Sequence, residues 1–580
     1  MPFTLHRERL GPLPIVKHFL EKLGLEALLG QFVPTTDRRC TLPYAKGLGV
    51  LLRSIIVERE PIYRQQETVQ DFAPSAFGLT AEQACQLRDD QLGRALDRLF
   101  DADRGSLLTA VVVAAGRQFG VRFRELHNDS TTVSFTGQYR AARGRHVRGR
   151  RAPWITYGHS KDHRPDLKQL LFILSVSADG GVPVQFRCAD GHTNDSRTHL
   201  QTWEALREVA GRPDFLYVAD SKLCSGEAMD AIDRQGGRFV TVLPRSRKED
   251  AEFREWIQTH EPTWEVVWDR PHPRRKDGPR DVWRVFRYPL PSRESWPVIW
   301  VSSALLALQH EQRRRERLAR VVQELEMLRG KLAGPRPRLR SKPQAQQKVD
   351  ELLGRLNVGR YVRARVVEQP EHRFRQEHRG RPGTKTRYRR ITRRRLAVEW
   401  ELDEAVIAYD RKSDGMYPLL SNDRSLTPAQ VLEAHKRQPV LEKRFEQIKT
   451  VHEIAPVFLK DEGRIEALFF LYFLGLLTQA LIERELRAAM QREGIASLPL
   501  YPEERACRRP ASEQVLRLFS LTERSVLLRG GRTLQVFEPE LTPLQSQVLS
   551  LLGVSARVYG AAAERAAGWG RDNAREMCGK

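Results

Sequence analysis

Apolar residues recur at helical spacing through the first 118 residues. Ile15, Phe19, Leu20, Leu23 and Leu28 fall on one helical face. A second helix is expected from Thr41, with Pro43 in its first turn. Asp89 is placed to cap a third, whose apolar face holds Leu92, Leu96 and Leu99. The pattern predicts an all-α domain over 1–118. From 119 to 243 it shortens to strand-length runs: Val121–His127, Thr132–Phe135, Leu170–Ala178, Val182–Cys188, Phe215–Ala219 and Arg238–Leu243. Asp179-Gly180-Gly181 marks a hairpin turn between two of them. Helical stretches at Thr198–Ala210 and Ser225–Gln235 lie on either side of the strand FLYVAD. Strands that first form a hairpin and then alternate with helices predict an α/β sheet of mixed direction.

Residues 244–424 read as an insertion. Trp264, Val266, Trp268, Trp283, Val285 and Phe286 predict strands, as do Trp296, Ile299 and Val301. Leu318, Val321, Leu325, Leu328 and Leu332 then follow a 3-4-3-4 spacing, the seam of a helix. Val349, Leu352, Leu353 and Leu356 supply the other half of a helical hairpin. Strands return at Leu396–Trp400 and Tyr417–Leu420. Residues 425–490 are helical again. The apolar run Ala467–Leu477 is shorter than the ~20 residues a membrane span needs, so it reads as a buried helix. Residues 491–580 are mixed, and no internal repeat is visible.

Charge changes the picture. Across 580 residues, 97 Lys and Arg stand against 73 Asp and Glu, a net charge of +24. Such an excess suggests a polyanionic partner, nucleic acid before a membrane surface. The run 373–395 holds eleven Arg or Lys and one acid, and Arg140–Arg151 holds six Arg and no acid. The Gly- and Pro-broken stretch GRPGTKTRYRR predicts a loop. Both runs suit a DNA groove, and each serves equally as a solvated linker. Tyr388 and Trp154 read as strand or core residues before base-stacking ones. No two of the six cysteines lie closer than 36 residues, which excludes CxxC zinc knuckles and argues against a disulfide scaffold. A reducing cytoplasm fits. The N-terminus has no uninterrupted apolar core, so no signal peptide is expected.

The candidate chemistry rests on three acids at the edges of regular elements. Asp129 lies in RELHNDSTTVSF just after an expected strand, Asp220 at the C-terminal end of FLYVAD, and Glu442 on the helix VLEKRFEQIK. Carboxylates at strand ends of an α/β sheet face the crevice where ligands bind. Three of them can hold two divalent cations ~3.5–4 Å apart and promote phosphodiester chemistry. Hard Mg²⁺ suits carboxylate oxygens. By position alone, Asp129 and Asp220 serve equally well as loop or cap residues. His127, His159, His163 and His192 lie near this set, and without cysteine support they read as local hydrogen-bonding residues rather than zinc ligands. Asp162, Asp166, Asp190 and Asp195 read as turn or capping residues.

The segments around these acids resemble the DDE transposases of bacterial insertion sequences, in the branch with a large β-rich insertion between the second Asp and the Glu. HNDSTTVSFTG resembles the first-Asp strand, YVADSKL the second-Asp block, and the stretch from His435 through HEIAPVF the Glu block. YGHSKDHRPDLKQLLF with DGHTNDS is similar to the block between the two Asp, and HSKDHRPDLKQ is its most specific string. The helical leader LGPLPIVKHFLEKLGL and LRDDQLGRALDRLF also look like this branch. The resemblance spans roughly 8–490. The family's Tyr and Arg positions are His435 and Gln438 here, with Arg437 beside the latter, while Glu442 and Lys449 keep their spacing. Glu446 is a fallback ligand.

The resemblance implies an RNase H-like core at 119–243 and 425–490, interrupted by the insertion and preceded by an all-α, DNA-end-binding domain. It implies Asp129, Asp220 and Glu442 as catalytic residues holding two Mg²⁺ or Mn²⁺ ions, with Arg437 and Lys449 on backbone phosphates. Arg379, Arg381, Lys385, Arg387, Arg389 and Arg390 are the expected further DNA contacts. The implied partner is double-stranded DNA, element ends and target, held by a homodimer in the bacterial cytoplasm at the nucleoid. The competing readings are a non-catalytic regulatory relative and a metal-dependent nuclease without strand transfer.

Overall fold

The structure is a computed structural model and describes residues 3–37, 40–334, 337–530 and 532–560. The chain is a multidomain α/β protein with a large mixed sheet. It divides into two compact units: residues 1–241 with 433–580, and residues 242–432. The second unit interrupts the first in sequence.

Unit 1 begins with strand β1 (Phe3–Arg9), where an all-helical start was expected. The alternation in FTLHRER fits a strand, and its pairing partner lies far along the chain. Helices at Leu13–Lys22, Leu25–Phe32, Tyr44–Val57, Asp89–Asp101 and Arg104–Phe119 follow. The sheet of this unit runs in the order β4 (Pro183–Asp190), β3 (Lys168–Ser177), β2 (Glu125–Phe135), β5 (Leu216–Ala219), β6 (Arg238–Val242). β2, β3 and β4 are antiparallel, while β5 and β6 run parallel to β2. The helix His199–Ala210 precedes β5 and Gly226–Arg234 follows it. β2 is one continuous strand, so Asp129 lies inside it rather than just after it. The expected break at Asn128–Thr131 is absent because both faces of the strand are covered. Polar Asn128, Ser130 and Thr131 are buried there, and Asn128 accepts a 2.8 Å hydrogen bond from the Ser175 hydroxyl.

Unit 2 holds β7 (Glu265–Arg270), β8 (Asp281–Arg287) and β9 (Val298–Ser303) in one antiparallel sheet. The helices Ala304–Ala333 and Lys342–Leu356 form the expected hairpin. Val321, Leu325, Leu332, Val349 and Leu352 are buried along its seam. The strands β10 (Val362–Gln376) and β11 (Tyr388–Leu402) pair antiparallel over their whole length as a two-stranded ribbon. Only 377–387 is loop, so Arg389 and Arg390 stand on a strand where a loop was expected. β12 (Met416–Ser421) pairs with β9.

The chain then returns to unit 1. Pro439–Glu446 is α-helix and continues as a π-helical turn, Gln447–Val451. The 31-residue helix Glu462–Arg492 is long and apolar enough to cross a membrane, and 89% of its most apolar window is buried inside the unit. Arg464 bonds both oxygens of Asp97 at 2.9 and 2.7 Å, and Glu466 pairs with Arg104 at 3.0 Å, keying this helix to the N-terminal ones. β13 (Glu523–Arg529) pairs with β1 and with β14 (Arg532–Phe537). Among the described residues, Cys40, Cys188, Cys224 and Cys507 are free thiols.

Candidate active site

Strand register brings the first two acids together. Asn128 of β2 lies opposite Ala219 of the parallel strand β5. Asp129 and Asp220 therefore occupy the next step of neighbouring strands, which run ~4.8 Å apart. Beyond β5 the Asp220 side chain caps a short 3₁₀ turn, accepting from the Lys222 amide at 3.0 Å. The Thr241 hydroxyl donates to the Asp220 carbonyl at 2.7 Å. Burial raises the pKa of Asp220, and the charge of Asp129 raises it further. The Lys222 amide and the Lys161 ammonium act in the opposite sense.

The sequence reading missed Lys161 as a site residue. Its ammonium lies 3.3 Å from Asp129 Oδ1 and 3.1 Å from Asp195 Oδ2. It also donates to the Ser130 carbonyl and hydroxyl, each at 2.7 Å. Burial works against this charge, and Asp129 and Asp195 outweigh it, so its pKa stands above the ordinary lysine value. Asp195, expected as a turn or capping residue, opens the 3₁₀ turn Asp195–Arg197 and is also the third carboxylate of this corner. The available signal was the string HSKDHRPDLKQ, whose lysine is charged and whose neighbours were singled out.

His199 was also missed. It is 2% exposed, and its Nδ1 lies 3.0 Å from the Tyr217 hydroxyl. Its Nε2 has no hydrogen-bond partner among the described residues and lies 3.9 Å from Asp220 Oδ1. Burial, aided by Lys161 and opposed by Asp195, lowers its pKa to about 4, so the ring is neutral at neutral pH. Of the expected histidines, His127 is buried with Nε2 at 2.9 Å from Glu125. His192 stacks edge-on against Trp154, and His159 and His163 are exposed.

The segment bearing Glu442 is tied down at three points, at the end of the preceding helix, on the Glu442 helix and on the π-helical turn. Arg437 makes a bidentate pair with Glu125 at 2.6 and 2.7 Å. Arg444 donates to the Gly181 and Gly180 carbonyls at 2.9 and 3.0 Å. Lys449 donates to Asp162, which also accepts from Thr132 of β2 at 3.4 Å. The approach is close: a Cβ on Gly181, whose φ is +64°, would meet Val440 Cγ1 at 2.2 Å. Glu483 anchors the same segment from the long helix. It is fully buried and receives Lys443 and Arg444 at 3.0 Å, the Ser512 amide at 3.0 Å and Gln447 at 3.1 Å. Against the cost of burial, Arg444, Lys443 and Arg487 pull its pKa down to about 2.

The guanidinium of Arg437 is thus committed to Glu125, whose pKa falls to about 2. Burial opposes that fall, and His127 and Arg437 overcome it. Glu442 and Glu446 are exposed on the anchored helix, and Glu442 makes no hydrogen bond or ion pair among the described residues. As arranged, no three His, Cys, Asp or Glu side chains among the described residues stand together closely enough to hold a metal ion. The donor chemistry suits a hard cation, and the Lys161 ammonium seated between Asp129 and Asp195 shows that this corner accommodates positive charge.

The site thus belongs to a mixed α/β chain that sets Asp129, inside one strand, beside Asp220, just past the end of its parallel neighbour. A family described as a domain of unknown function (DUF4277) matches residues 5–113. No curated protein matches the chain. Among solved structures the chain is similar to piggyBac transposase, in a cryo-EM structure of its synaptic complex with hairpin DNA. The identity is 11% and the TM-score 0.26. The likeness covers 52% of this chain and 63% of that one.

Proposed function

We propose that this chain is the transposase of an insertion sequence, with an RNase H-like core formed by the mixed sheet of unit 1. It would bind the terminal inverted repeats of its element, cut a phosphodiester at each end and join the freed 3′-hydroxyl to target DNA. The observation that carries this reading is the register that sets Asp129 and Asp220 level, each one residue past the paired Asn128 and Ala219 of neighbouring parallel strands. Two carboxylates so placed repel, and a bound cation relieves that repulsion. The motif blocks that resemble insertion-sequence transposases lie on the same strands. Asp129 and Asp220, with Glu442 from the anchored helix, would hold two Mg²⁺ or Mn²⁺ ions. Bound there, such ions activate a water or a 3′-hydroxyl and stabilise the leaving oxygen. Lys449, on the π-helical turn beside Asp162, would hold a backbone phosphate. Handling two ends at once calls for two copies of the chain, acting on cytoplasmic DNA at the nucleoid.

One observation favours a second reading, a DNA-binding relative without the chemistry: Glu442 does not meet Asp129 and Asp220 among the described residues. A nicking assay separates the two. The gene's flanking DNA is placed on a supercoiled plasmid, and wild type and Asp220→Ala are compared with Mg²⁺. Breaks at the element's ends made by wild type alone support the transposase. Gel shifts of end DNA by both proteins, with no cutting by either, sink it in favour of the relative. Joining of cut ends to a second DNA separates a transposase from a nuclease.

A further inference from the structure

The ribbon of unit 2 has a buried base and a bare arm. At the base, Val362, Val366 and Val398 pack into the seam of the helical hairpin and are at most 2% exposed. Here the charges are matched across the strands: Arg365 pairs with Glu399 at 3.0 Å, Arg394 with Glu368 at 3.2 Å and Arg395 with Glu371 at 2.6 Å. Beyond this, matching stops. Arg379, Arg381, Lys385, Arg387, Arg389 and Arg390 have no carboxylate partner among the described residues, and all six are exposed. Glu377 is the one acid over 373–395. Two aromatics stand bare on the same stretch, Phe374 at 67% and Tyr388 at 49% exposure. Register places them on one face, since Phe374 lies opposite Arg390 and Gln376 opposite Tyr388.

Keeping a free ribbon edge from pairing needs only a few charges. This arm carries far more, all but Glu377 of one sign, with exposed aromatics between them. Two strands ~4.8 Å apart, with their side chains, match a B-DNA major groove of about 12 Å width, which admits a two-stranded ribbon. Ten strand residues beyond Val366 reach about 30 Å. We infer that the distal ribbon is a duplex-DNA-binding arm that enters the major groove, with its arginines on the flanking phosphates and Phe374 and Tyr388 against base edges. The inference takes its ligand from the DNA-acting reading above. It names a contact held in unit 2, separate from the acids.

The test is fluorescence anisotropy of the full chain with a labelled 40-base-pair duplex lacking any element end, across a salt series. The variant carries Arg379→Ala, Arg381→Ala, Lys385→Ala, Arg387→Ala, Arg389→Ala and Arg390→Ala together. Its affinity is expected to fall about a hundredfold at low salt, and its log-log salt slope to shrink by ~5, from six lost phosphate contacts. The six changes are exposed, so melting should not move. A variant with the five arginines exchanged for Lys, and Lys385 kept, retains the charge and should recover most of the slope, which rules out misfolding as the cause. The major-groove ligand methyl green should compete with the wild type, while the minor-groove ligand netropsin should not. Wild-type affinity in the Ala variant overturns the inference. So does competition by netropsin alone, or a loss seen only with acidic proteins or anionic vesicles. Ribbon-dependent binding with no cutting by wild type would sink the transposase reading and leave the arm standing. Cutting that persists while the Ala variant binds normally would do the reverse.

Discussion

In unit 1 the Lys161 ammonium meets Asp129, Asp195 and two oxygens of Ser130, so charge in this corner is offset within the fold, though Asp129 still repels Asp220. In unit 2 the cations from Arg379 to Arg390 meet no carboxylate among the described residues. The first region is built by register: neighbouring strands set two acids side by side, and a lysine from a loop offsets them. The second has no register to defend beyond its own backbone pairing, and its charges are left for something outside the chain. Charge that the fold compensates belongs to a shaped site. Charge that the fold leaves open belongs to a binding surface.

That contrast breaks most sharply at Asp220. Asp220→Ala is expected to lower end cleavage by about a thousandfold or more, equivalent to about 4 kcal/mol of barrier. DNA affinity should stay within about twofold, because the arm is untouched. An equal loss of binding would merge the two regions into one function. Next comes Glu483, whose exchange for Gln strands Lys443, Arg444 and Arg487 around a neutral amide. Chemical denaturation should show a loss of about 3–5 kcal/mol at pH 7. The acid limb gives the sign. Glu483 has a folded pKa of about 2 against an ordinary 4.5. Its stabilisation is therefore complete above about pH 4.5 and fades as the pH falls toward 2. In the Gln variant that part of the acid unfolding curve should flatten, and an unchanged curve would remove Glu483 as the anchor.

Lys161→Met should cost about 2 kcal/mol, since three carboxylates lose their shared cation. A gain in stability would mean that the lysine is a burial cost rather than a counter-charge. The smallest effect belongs to the ribbon base. Arg365→Ala removes an exposed pair with Glu399 and should change stability by less than about 1 kcal/mol in thermal melts. A larger loss would show that the base depends on charge as well as on its valines.

Local pattern made much of this visible. The Leu318 to Leu332 seam, the hairpin at Asp179-Gly180-Gly181 and the position of Asp220 at a strand end all follow from short-range spacing. Asp129 was placed outside a strand because polar Asn128, Ser130 and Thr131 interrupt the apolar pattern. Their burial depends on partners such as Ser175, which no local window contains. β10 was missed for a different reason: past Val366 both faces meet solvent, so no alternation exists to read. Arg437 was read as a phosphate ligand because its partner, Glu125, lies more than 300 residues earlier. Lys161 and Asp195 lie in strings that were noticed, but only the fold brings them to Asp129.

β1 and β13 pair across about 500 residues, Phe3 with Arg529 through Arg9 with Glu523. On a ribosome moving at ~5–20 residues per second, β1 therefore waits roughly half a minute to two minutes for its partner. Throughout that time its edge is open, and the Glu442 helix joins the strands of Asp129 and Asp220 only after all of unit 2 has been made. The centre is completed late in synthesis, so a truncated nascent chain carries the two aspartates without the helix that would complete the set.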